Sequence, residues 1–132
     1  MNTVLSDHTT TEIGTIQIAP EVLEIIAGVA AIKIEGVADM SGGIVGGISE
    51  MLGLKSLTRG VKVQIGTAET LIDIYIVIEY GYPIPEISRQ IQRSVHQAIY
   101  SMTGIHVSAV HIHIESVHFN EVGESTIQAS IE

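Results

Sequence analysis

The chain has 132 residues, a formal charge of −9 and no cysteine, with 45% apolar and 16% charged residues. That length suits a single domain burying about two thirds of its unfolded surface. The composition excludes a disordered chain, a disulfide framework, a thiol nucleophile and cysteine metal sites, while the charge repels nucleic-acid phosphates at long range.

Residues 1 to 12 are polar and rich in Thr and Ser, which predicts a mobile tail. They lack the basic-then-apolar order of a secretory signal. Thr15-Ile16-Gln17-Ile18 alternates polar and apolar, predicting a short strand with Ile16 and Ile18 inward. A helix over residues 20 to 34 follows, with Pro20 in its first turn, Glu21 and Glu24 at the positive end of the dipole, and Gly36 as its stop. It is apolar around most of its circumference, which predicts deep burial. The longest apolar run, residues 25 to 32, falls well short of the roughly 20 residues that cross a bilayer.

Glycines at 36, 42, 43, 46, 47, 53 and 60 predict a mobile loop around one short helix near residues 44 to 52, with strand or loop left open at this place in the element order. This block lacks the Gly-Lys-Ser/Thr ending of a P-loop and the spacing of a dinucleotide fingerprint, so a linker explains it better than a phosphate cradle. Val61, Val63 and Ile65 then alternate with Lys62 and Gln64. Ile72, Ile74, Ile76, Ile78 and Tyr80 alternate with Asp73, Tyr75, Val77 and Glu79. The two runs predict an antiparallel hairpin.

Ile87, Ile91, Val95, Ala98, Ile99 and Met102 fall at helical spacing between Pro85 and Gly104, the usual asymmetry of helix ends. Arg89 and Arg93, four apart, share one exposed edge. From 106 to 119 the chain alternates again, with Val110, Ile112 and Ile114 on one face and Ala109, His111, His113 and Glu115 on the other. The C-terminal residues, 120 to 132, read as a second tail.

The predicted fold is therefore α+β: a two-layer domain over residues 13 to 119, with a mixed, mostly antiparallel sheet, two helices on one face and a Gly-rich insertion. The opposite sheet face would display Tyr75, Val77, Val107, Ala109 and Val117 among charged residues, forming a candidate self-association or partner surface. Lys55, Arg59, Lys62, Arg89 and Arg93, five of the six basic residues, form a candidate basic edge to it. Lys33 stands apart.

His111, His113 and Glu115 carry donors that suit zinc or nickel. Side chains two apart on a strand seldom enclose an ion without a further ligand, and His106 and His118 have the opposite parity, so solvated histidines are expected and no metal is assigned. No nucleophile-and-base pair or buried carboxylate couple emerges. A non-enzyme without a cofactor is expected.

Four blocks carry a wider likeness: GTIQIAPEVLEIIAGVAAIKIEGV, MSGGIVGGISEMLGLKSLTRGVKVQIG, YIVIEYGYPIPEISRQIQRSVHQAIYSMTG and HVSAVHIHIESVHF. Together they resemble the alkaline-shock-protein family, the Gls-like general stress proteins of Gram-positive bacteria. The likeness covers about residues 12 to 119; the Tyr-Gly-x-x-Ile-Pro-Glu helix start and Met-Thr-Gly helix end are its most specific parts. It implies a small cytosolic, non-catalytic protein of cell-envelope stress or envelope lipid homeostasis that self-associates or is held near the membrane by an anchored partner. The long Gly-rich block looks like the subgroup connected with fatty-acid synthesis and its carboxylase.

The reading that follows is a cytoplasmic interaction protein that contacts other proteins, without nucleic-acid binding or membrane insertion of its own. Two others stand beside it: a regulator binding a small anionic metabolite at the Gly-rich loop near Lys55 and Arg59, and, last, a metal-dependent enzyme built on the histidine strand.

Overall fold

A computed structural model describes residues 8–41 and 54–119. In chain order these form β1 (His8–Thr11), β2 (Gly14–Gln17), α1 (Pro20–Ile32), β3 (Val37–Met40), α2 (Leu54–Thr58), β4 (Val61–Ile65), β5 (Thr70–Glu79), α3 (Ile84–Thr103) and β6 (Ala109–His118).

The main sheet is organised by β5, whose burial alternates residue by residue as its period-two sequence predicts. β6 runs parallel to it along one side, from Leu71↔Ala109 to Glu79↔His118. Along the other side lie β4 and β3, both antiparallel, β4 against Thr70–Ile74 and β3 against Ile76–Ile78. The two short strands meet end to end at Tyr75: its carbonyl accepts from the Ser41 N–H and its N–H donates to the Gly60 carbonyl, both at 2.8 Å. The chain thus leaves the sheet at Ser41 and rejoins it at Gly60. A Cβ on Gly60 would stand 2.6 Å from the Tyr75 carbonyl oxygen, so glycine permits this junction.

Both long helices cover one face. Pro20 opens α1, and Leu23, Ile26, Ala27, Ala30 and Ala31 are buried against α3 and the β3–β4 side of the sheet. In α3 the buried stripe is Ile87, Ile91, Val95 and Ile99, a strict four-residue repeat. Gly104 ends it in the left-handed region at φ 80°, its N–H donating to the Tyr100 carbonyl at 2.8 Å. Beneath the helices Ile72, Ile74, Ile76 and Ile78 are at most 1% exposed; each such side chain stabilises the fold by roughly 1.5–3 kcal/mol through burial.

This is the two-layer α+β domain that the periodicities predict, with one open alternative resolved and two differences. β3 is a strand where the sequence leaves strand or loop open, because four residues beside a glycine carry too little alternation to decide. β2 pairs with β1 and not with the main sheet, so Ile16 is 53% exposed instead of inward, whereas Ile18 does pack against the core. β1 itself falls within residues 1 to 12, where the sequence predicts a tail. The short helix expected near residues 44 to 52 and the tail over 120 to 132 lie outside the described residues.

Candidate interaction surface

No described element packs over the sheet face opposite the helices. Lys62 and Gln64 of β4 reach it beside Asp73, Tyr75, Val77 and Glu79 of β5, and Ala109, His111, His113 and Ser116 of β6. Its centre is a connected group. The Tyr75 and His113 rings, register partners on β5 and β6, stack with centroids 4.3 Å apart and planes 11° apart. His113 Nε2 lies 2.9 Å from Asp73 Oδ1. An ionised carboxylate only accepts, so this contact selects the tautomer with the proton on Nε2. On the far side, Lys62 Nζ stands 5.6 Å from the Tyr75 ring centroid, and Lys62 is the cross-strand partner of Asp73. At this exposure such a cation–π contact contributes about 0.5–1 kcal/mol.

Towards the other end, Ser41 Oγ donates to Glu115 Oε1 at 3.2 Å, and His118 Nδ1 lies 3.4 Å from Glu79 Oε1. His118 reaches this face because the register slips between Ile76 and Val77, leaving Glu115 as an extra residue in β6. The bulge reverses parity beyond it. His118 therefore joins the face of His111 and His113, contrary to its expected orientation.

The same bulge moves Val117 off the expected surface: it pairs with Ile78, on the helix side, and is 49% exposed. Val107 is also not on the surface. It is 5% exposed within the core, because β6 begins only at Ala109 and strand parity does not extend back through the connection from α3. Of the five expected surface residues, Tyr75, Val77 and Ala109 share the open face.

The five basic residues do not make one edge. Lys62 stands on the open face in β4, and Arg59 in the turn just before it. Arg89 and Arg93 are exposed on α3, in the helix layer on the β6 side, where Arg89 Nη2 lies 3.7 Å from Glu86 Oε1. Lys55 falls in α2, and the Gly-rich segment that would complete an anion site with it lies outside the described residues.

The metal candidates are likewise drawn apart. His113 is engaged by Asp73 and Glu115 by Ser41, and among the described residues no group of three or more His, Asp or Glu is placed to hold an ion.

A groove of about 500 Å³ runs between α3 and the start of β6, lined by Gln92, Arg93, His96, Tyr100, Val107 and Val110 among others. Gln92 Nε2 donates to the Val110 carbonyl there at 2.9 Å, and the Tyr100 and His106 rings meet at 4.3 Å. Sequence periodicity marks Gln92, Arg93 and His96 only as the polar side of a helix. Two groups elsewhere are held above their ordinary pKa: Tyr82, by its hydrogen bond to Glu35 and the charge of that carboxylate, and Glu24, by burial and then by Glu21. Glu24 lies in the helix layer, whereas Tyr82 stands next to Glu79, at one end of the open face, whose charge adds to the shift.

No helix among the described residues is long and apolar enough to cross a membrane. Comparison with known proteins agrees with the likeness read from the sequence. The chain is 37% identical over 114 residues to YqhY of Bacillus subtilis (strain 168), covering 86% of this chain and 84% of that protein. It is 32% identical over 109 residues to YloU of the same organism, covering 81% and 91%. A stress response regulator gls24 homolog of Streptococcus pyogenes serotype M3 is 27% identical over 106 residues, which span 80% of this chain and 59% of that longer protein. The model of the alkaline shock protein 23 family, described as having a cell envelope-related function, matches residues 8–119, and the chain belongs to that family.

Proposed function

We propose that this chain serves the cell envelope as a non-catalytic docking protein, binding a protein partner through the open sheet face around Tyr75. The observation that carries the reading is that face itself. A stacked Tyr75–His113 pair and Val77 stand uncovered, with Lys62, Asp73 and Glu79 around them. Tyrosine beside a polar rim is the composition of a protein contact, since one ring supplies large area at small entropic cost. A face held by fixed cross-strand contacts is also preorganised, which lowers the cost of binding.

Within this reading the protein works in the cytoplasm, self-associates or docks on a membrane-anchored protein or an enzyme of fatty-acid synthesis, and so supports envelope lipid homeostasis. The test is a double substitution, Tyr75→Asp with Val77→Asp, which places two like charges beside Asp73 and Glu79 without touching the core. Sedimentation and affinity capture from native cytosol should lose the complex while far-UV circular dichroism stays unchanged. An unaltered sedimentation and capture profile would falsify this surface.

A further inference from the structure

Among the described elements α1 packs on β3 and β4 and α3 packs on β6, so the flank of α3 turned away from α1 overhangs the outer edge of β6. No described strand takes that edge. Long edges are normally blunted by proline, by lysine or by shortness. β6 has ten residues and carries no Pro, Lys or Arg. The space beneath the overhang is also incompletely filled: Ile112 and Ile114 are only partly buried, and the groove of about 500 Å³ opens there beside Val107 and Val110.

Charge marks the same place. All fifteen acidic residues of the chain lie outside residues 87–114, a block that holds Arg89, Arg93, His96, His106, His111 and His113. In a chain of net charge −9 this is a strong segregation. Arg89, Arg93, His96 and Tyr100 share one side of α3, and all four are exposed. Arg93 makes no ion pair among the described residues. Arg89 meets Glu86 at 3.7 Å with both side chains at least half exposed, a contact of little worth to the fold.

We propose that this edge takes an extended acidic peptide of a partner protein, which adds to β6 as a further strand and sets alternate carboxylates against Arg89, Arg93 and His96. The spacing fits. Four helical residues rise about 6 Å, and side chains on one face of a strand repeat every 6.6 Å or about that. Backbone pairing along β6 supplies affinity, and the cationic flank selects acidic sequences. The methylenes of those acidic side chains cover Ile112 and Ile114. Gln92 Nε2, donating to the Val110 carbonyl at 2.9 Å, fixes α3 against the start of β6, so the groove is formed before the peptide arrives. The proposal stands apart from the open face, because it uses the sheet edge and the outer flank of a helix.

The test is a titration of the isotope-labelled full chain, followed by amide chemical shifts, with a synthetic peptide that alternates glutamate and valine. Saturable shifts are expected in residues 109–114 of β6 and 89–100 of α3, with slower hydrogen exchange in β6. A lysine–valine peptide should leave both unchanged. So should the glutamate–valine peptide with its backbone nitrogens methylated, which cannot donate to the edge. Arg89→Glu combined with Arg93→Glu should weaken binding at least about tenfold while far-UV circular dichroism stays unchanged. Absence of shifts overturns the proposal, as does equal binding of either control peptide or binding that survives the double reversal. Shifts centred on Tyr75 and Val77 also overturn it, placing the peptide on the open face, and so does a dimer of the free chain joined through β6, which would place a second copy on the edge.

Discussion

Neighbouring residues of β5 provide a direct measure of its two faces. Ile76 is fully buried under the helices, and Val77 is half-buried on the open face. Ile76→Ala removes three carbons, about 2.4 kcal/mol of transfer free energy at about 0.8 kcal/mol each. The cavity left behind adds to this, so a total near 3–4 kcal/mol is expected. Val77→Ala removes two carbons that are already partly wetted and leaves no enclosed void, so the expected loss is below about 1 kcal/mol. At this chain length 1 kcal/mol corresponds to roughly 3–5 °C in Tm. Calorimetry should therefore show a fall of about 9–20 °C for Ile76→Ala and only a few degrees for Val77→Ala, with urea denaturation giving the same order. Equal losses would refute the reasoning, since they would mean that the face around Tyr75 is already covered in the free protein.

Four further outcomes follow from local geometry and burial. Gly60→Ala should destabilise by about 1–3 kcal/mol in urea denaturation, because its Cβ would stand 2.6 Å from the Tyr75 carbonyl oxygen. Gly66→Ala, whose Cβ would meet the Glu69 carbonyl oxygen at an ordinary 3.5 Å, should change stability by no more than about 0.5 kcal/mol. For Glu24, burial first and Glu21 second raise the folded-state pKa above 4.5, so the folded protein binds this proton more tightly than the unfolded chain. Its ionisation therefore weakens the fold as pH rises through the folded value. Glu24→Gln should accordingly raise Tm at pH 7, with the advantage fading as pH falls towards 4.5; a variant less stable at pH 7 would contradict the burial argument. Finally, a double-mutant cycle on Asp73 and His113 should return a coupling of about 0.5–1 kcal/mol, discounted because the imidazole is 40% exposed.

Several features were legible before any coordinates. The isoleucine run from 72 to 78 defines both faces of β5, since successive side chains on a strand point to opposite sides. Ile87, Ile91, Val95 and Ile99 define the buried stripe of α3, and Gly104 its end. The bulge also left a trace: apolar residues in β6 fall at 110, 112 and 114 and then at 117, so the spacing lengthens from two to three. Read as a strand of uninterrupted parity, that stretch puts Val117 and His118 on the wrong faces.

By itself, then, the sequence determined the types of the longer elements, the core residues of β5 and α3, and the family likeness, because these are carried by patterns between near neighbours along the chain. Tertiary structure alone decided that β3 and β4 meet at Tyr75, that β6 runs parallel to β5, that Val107 is buried, and that Lys62 lies apart from Arg89 and Arg93. Each depends on which distant segment a strand pairs with, and hydrophobic periodicity says which side of an element is buried without saying against what.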